Sequence, residues 1–92
     1  MAENSIDEMV NWVVSVDRRL ILMDSMKRHA SVRASDIAHE TSRSTQNISH
    51  ALKEFEIKGL IQCLTPDKTT WKKYILTDDG KRVLEQLDGK YI

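Results

Sequence analysis

Residues 44–59, STQNISHALKEFEIKG, hold a helix start, a helix stop and two chemically different faces, and they limit what the rest of the chain can build around them. Ser44 is an N-cap candidate, because its hydroxyl can accept one of the orphan N–H groups of the first turn. Gly59 suits the left-handed position that ends a helix, where a Cβ is penalised. Ile48, Ala51, Leu52 and Phe55 recur at helical spacing and line one face. At about 100° per residue, Gln46, His50 and Lys53 point the other way. That outer face is rich in Ser, Thr, Gln, Asn and His and is not dominated by Glu/Lys pairs.

A length of 92 residues predicts one domain with a modest core, and a hydrophobic fraction of 40% beside 30% charged residues is ordinary for a soluble globular protein. No apolar run approaches the roughly 18 residues that a membrane span needs. The opening MAENSIDE is acidic and lacks the basic-then-apolar layout of a secretion signal. Cys63 is the single cysteine, which excludes an internal disulfide and fits a reducing compartment. A cytoplasmic protein without membrane association is expected.

The charges cancel, 14 basic against 14 acidic, which taken globally argues against strong non-specific binding to nucleic acid. Their distribution is uneven. Residues 1–14 are acidic, whereas residues 15–34 carry five bases against two acids and residues 65–76 carry three against one.

Along the chain, Ser5 and Glu8 stand at capping-box spacing and open a stripe of Ile6, Met9, Val10 and Val13. Residues 1–14 are read as a helix or arm that packs either on the body or on a second subunit. Ser15 is the next expected N-cap, with Asp17 in a first turn where the helix dipole favours an acid. Leu20, Ile21, Leu22, Met23 and Met26 supply the apolar face, and Lys27, Arg28 and His29 close the helix. Val32, in a stretch too short for an independent strand, can form the edge of a small sheet. Ser35 is expected to cap a short helix over 36–41 with Ile37 and Ala38 inward. A tight turn then leads into the helix at Ser44, making a helix-turn-helix unit. Past Gly59 the period falls to about 2. Residues 60–64 and 72–76 read as strands around the turn chemistry of Thr65-Pro66-Asp67-Lys68. Thr77 caps a last helix with Val83, Leu84 and Leu87 on its apolar face, stopped at Asp88-Gly89, and 89–92 is a short tail.

Helix, short extended piece, helix, helix, strand, loop, strand, helix is the winged-helix order. The class is α+β, mainly α: a three-helix core with a β-hairpin wing and extra terminal helices, the body spanning 15–88. Ser42 falls in the turn where glycine is favoured. The run STQNISHALKEFEIKGLIQCLTP, followed by YILTDDGKRVLEQL, resembles the short archaeal winged helix-turn-helix transcriptional regulators related to the MarR and ArsR superfamilies. Leu52–Leu60 is similar to their "LKELEEKGL" phrase and Leu76–Leu84 to "LTEKGKEVL". The resemblance covers residues 15 to 87. It implies a homodimer that binds double-stranded DNA, with a recognition helix over 45–58 in the major groove and the wing over 65–73 on the flanking backbone.

The side chains support that expectation independently. A major groove admits one helix, and Gln46, Asn47 and His50 can pair with base edges. Ser44, Thr45 and Ser49 can bond bases or phosphates near the helix N-terminus. Arg43, Lys53, Lys68 and Lys72 can neutralise phosphates, with Thr69 and Thr70 beside them in the wing. Trp71 either wedges against a sugar or folds back on its own domain. The rival reading is a winged helix that mediates protein interaction within a larger transcription, replication or sorting complex. The zero net charge and the acids Glu54 and Glu56 on the central helix favour it. No glycine-rich phosphate loop, HExxH or GxSxG occurs, so an enzyme is not expected. One cysteine and three scattered histidines make no metal-ligand spacing, and neither metal nor cofactor is expected.

Overall fold

The computed structural model describes residues 3–68 and 71–92. Among them the chain forms α1 (Glu3–Val14), α2 (Asp17–Arg28), α3 (Ala34–Thr41), α4 (Thr45–Ile57), β1 (Ile61–Cys63), β2 (Tyr74–Leu76) and α5 (Asp78–Leu87). The mainly helical α+β class and the winged helix-turn-helix arrangement expected from the sequence are both present.

The core gathers one stripe from each helix. Ile48, Ala51, Leu52 and Phe55 of α4 are buried against Leu22, Met23 and Met26 of α2, Ile37 and Ala38 of α3, and Val83 and Leu87 of α5. Helix α1 closes this core from the same chain. Its Val13 is fully buried and Ile6 nearly so, α1 packs on α5 and α2, and Trp12 meets the Phe55 ring at 5.5 Å. Ile6, Trp12 and Val13 thus pack within this chain, on the core around Phe55.

The sheet is a two-stranded antiparallel hairpin in the register Ile61↔Leu76, Gln62↔Ile75 and Cys63↔Tyr74. Val32 adds the expected edge as a single antiparallel bridge to Tyr74. Both strands are shorter than their sequence patterns. Beyond Cys63 one further bond joins the Leu64 N–H to the Lys73 carbonyl, and then the Thr65 hydroxyl takes the Lys73 N–H, replacing the ladder with a turn.

Three helix starts differ from expectation. Helix α1 is already under way at Glu3, so Ser5 lies inside it. Val16 precedes α2 with no side-chain cap, and the Ser15 hydroxyl donates backward to the Trp12 carbonyl at 2.8 Å. Arg33 occupies the cap position of α3 and pairs with Asp36, leaving Ser35 within the first turn. Serine hydroxyls have local backbone alternatives to capping, and at Ser15 that alternative prevails. The tail is tied down rather than loose: Lys27 Nζ meets Asp88 at 2.8 Å and the Ile92 carbonyl at 3.0 Å.

Candidate nucleic-acid interface

The turn between α3 and α4 is set by Ser42, whose backbone takes the left-handed value φ 58°. The N–H groups of Ser42 and Arg43 bond back to the carbonyls of His39 and Ala38, which closes α3 and aims the chain into α4. Ser44 then caps α4 as its sequence implied, its Oγ accepting the Asn47 N–H at 3.0 Å. Lys58 ends α4, and Gly59 follows at φ 74°. The helix thus stops at Ile57, one residue short of the expected range.

With Ile48, Ala51, Leu52 and Phe55 of α4 buried, Thr45, Gln46, Ser49, His50 and Lys53 stand exposed on the helix. Ser44, Gln46, Asn47 and His50 line one shallow concavity at its N-terminal end. Asn47 is half-buried, and its Oδ1 accepts a hydrogen bond from Arg43 at 3.1 Å. The same guanidinium reaches Asp17 at 3.3 Å. Asp17 is 88% exposed, so this ion pair is open to water and can be exchanged for another anion.

The wing root lies beside α4. Trp71 and Lys72 line a cavity together with Arg33, Ala34 and Ser35 at the start of α3, Thr45, Ser49 and Leu52 of α4, and Tyr74. Trp71 borders its own domain and remains 48% exposed. Lys68 Nζ sits 5.2 Å from its ring centroid. Lys68 and Lys72 are exposed. Thr69 and Thr70, also expected in the wing, lie outside the described residues. Arg33 and Ser35 line this cavity although sequence reasoning had not connected them with the wing. The bridge between Val32 and Tyr74 brings them there; the sequence marks Val32 as a sheet edge but does not mark Tyr74 as its partner.

Glu54 is absent from the outer face. Arg18 and Arg19 hold its carboxylate at 2.9 and 2.7 Å, and Arg19 also stacks 4.0 Å from the Trp12 ring centroid. Elsewhere His29 meets Glu40 at 3.0 Å, far from His50 in the chain. Among the described residues no group of three His, Cys, Asp or Glu side chains is placed to hold a metal ion, and no helix is long and apolar enough to cross a membrane.

No family model matches the chain, and no curated protein matches it. Solved structures do. The AntR antimony-specific transcriptional repressor superposes with a TM-score of 0.70 at 20% identity, over 85% of this chain and 69% of its own. The YusO protein from Bacillus subtilis gives 0.70 at 20% identity, over 91% and 63%. A MarR mutant from E. coli complexed with operator DNA gives 0.66 at 18% identity, over 90% and 63%. The chain spans about two thirds of the length of these proteins. At such identities the likeness is one of fold, and the fold this chain shares with MarR, AntR and YusO is the winged helix-turn-helix.

Proposed function

We propose that the chain is a transcriptional regulator that binds double-stranded DNA as a homodimer, in the cytoplasm, in keeping with its resemblance to the short archaeal regulators related to MarR and ArsR. The recognition helix over 45–58 enters a major groove, and the wing over 65–73 follows the flanking backbone. One observation carries this reading. The polar side of α4 is exposed along its N-terminal half, beside a wing bearing Lys68 and Lys72, in a fold that a MarR–operator complex shares. Gln46 and His50 read base edges there. Ser44, Thr45 and Ser49 set the register, and Arg43, Lys53, Lys68 and Lys72 meet phosphates, with Thr69 and Thr70 contributing from the wing.

The protein-interaction reading retains two observations in its favour, the formal net charge of zero and the exposed Glu56 on α4. It loses another, since Glu54 is neutralised inside the domain and no longer opposes a polyanion.

Binding to random genomic duplex across a salt series separates the two. Each phosphate contact releases counterions, so a DNA reader loses affinity steadily as salt rises. Negligible binding at low salt eliminates the DNA reading. Gln46→Ala is expected to relax sequence choice by about tenfold, while Lys72→Ala weakens specific and random DNA alike and lowers the salt slope by about one. Equal loss on both DNAs for Gln46→Ala removes it from base reading.

A further inference from the structure

We infer that Asp17 holds the place of a DNA phosphate on Arg43, so that the free protein keeps one of its DNA-binding cations neutralised and gives up that pair when it binds; this rests on the DNA-binding reading above. Arg43, Lys53, Lys68 and Lys72 are the cations that reading assigns to phosphates. Among the described residues only Arg43 of these four is already ion-paired. Its guanidinium is engaged at two nitrogens by two different partners. Nη1 donates to Asn47 Oδ1 at 3.1 Å, which keeps the group beside the first turn of α4. Nη2 donates to Asp17 Oδ2 at 3.3 Å, a contact that crosses from the first residue of α2.

To a guanidinium, a carboxylate and a phosphate offer the same thing, anionic oxygens that accept from its planar donors. One can therefore replace the other. Asp17 is the exchangeable partner because its side chain is 88% exposed, against 27% for Arg43. It can leave without uncovering buried surface, and an ion pair so open to water is weak. In the free protein it nevertheless stays beside the recognition helix. The next two residues, Arg18 and Arg19, both bind Glu54 of α4, so the start of α2 is fixed against that helix. A phosphate that takes Nη2 displaces the carboxylate and leaves the Asn47 contact in place. Asp17 therefore lowers affinity for every duplex alike, whatever its sequence, and does so through Arg43.

Fluorescence anisotropy with a labelled duplex of random sequence at low salt tests this on the wild type, Asp17→Asn, Arg43→Ala and the double variant. Asparagine matches aspartate in size and the position is exposed, so the fold is kept, which thermal melts verify. Asp17→Asn is expected to bind about threefold more tightly than the wild type, a gain that shrinks as salt rises and screens exposed charges. General repulsion of DNA by Asp17 acts whether or not Arg43 is present, whereas competition for Arg43 needs the arginine. In the Arg43→Ala background the gain from Asp17→Asn is accordingly expected to fall to about 1.5-fold or less. An equal gain in both backgrounds assigns the effect to repulsion and overturns the inference. So does an Asp17→Asn variant that binds no more tightly than the wild type, or an Arg43→Ala variant that binds as tightly as it. Absence of binding by the wild type overturns the DNA reading and this inference with it.

Discussion

Glu54 stands on the helix whose outer side is proposed to meet DNA, yet its carboxylate points inward between two arginines. Arg18 donates to Oε1 at 2.9 Å and Arg19 to Oε2 at 2.7 Å, while Arg19 also donates to the Trp12 carbonyl. One acid therefore ties α1, α2 and α4 together. Burial pushes the Glu54 pKa up, but the hydrogen bonds from Arg19 and Arg18 and their charges outweigh it, holding the group at about 2 against an ordinary 4.5. Because the folded-state value is the lower one, the stability this carboxylate supplies is complete above pH 4.5 and is lost as pH falls towards 2. Glu54→Gln is expected to cost about 1–2 kcal/mol at neutral pH, less than a fully buried pair because water reaches both arginines. The difference from wild type must narrow as pH drops through that window. Thermal melts of both proteins at neutral and acid pH check it, and a gap of constant size assigns the loss to packing instead of charge.

At the scale of elements, the junction between β2 and α5 depends on a glycine in a place where helix propensity alone would favour alanine. Thr77 caps α5 by accepting the Gly80 N–H at 3.1 Å and donates its hydroxyl proton to the Gly59 carbonyl at 2.6 Å. Its own N–H bonds the Leu60 carbonyl at 3.0 Å, so the first turn of α5 presses directly on Leu60, the residue before β1. A Cβ on Gly80 would lie 2.1 Å from that carbonyl oxygen and 2.9 Å from the Leu76 side chain. In an open helix Gly→Ala gains about 1 kcal/mol. Here backbone must move, and Gly80→Ala is expected to lose about 2 kcal/mol or more, measured by denaturant unfolding. A stabilised variant would mean that α5 can slide away from Leu60 at little cost. The contrast between caps explains what the sequence revealed. Ser44 and Thr77 were legible because their capping contacts close within three residues. Ser15 and Ser35 carry the same local signature, but packing sets the ends of α2 and α3, and other groups occupy the cap positions. The apolar face of α4 was legible from period alone. The inward turn of Glu54 was not, because its partners lie 35 and 36 residues away, and neither was the Asp17 tether on Arg43, 26 residues distant.

The whole molecule measures 36 × 27 × 19 Å and presents one α4. A single such helix reads only a few base pairs, so a palindromic site requires two copies with their helices about one DNA turn apart, about 34 Å. Deleting residues 1–14 is a poor test of that pairing. Val13 and Trp12 belong to the core that holds α4, and a truncated chain would lose folding stability together with any dimer contact. The DNA offers a test that leaves the protein intact. Inserting about five base pairs between the half-sites rotates one of them by half a turn and moves it about 17 Å along the axis. A rigid dimer is then expected to fall to the affinity of a single half-site, a loss of about a hundredfold or more, with one dimer bound on the native spacing and each half-site of the altered one taking a dimer of its own at high concentration. Gel-shift titrations with light scattering for stoichiometry measure both quantities. Independent monomers would bind the altered site as tightly as the native one, because neither half-site has changed in sequence, and that outcome would remove the dimer while leaving the reading of bases by α4 in place.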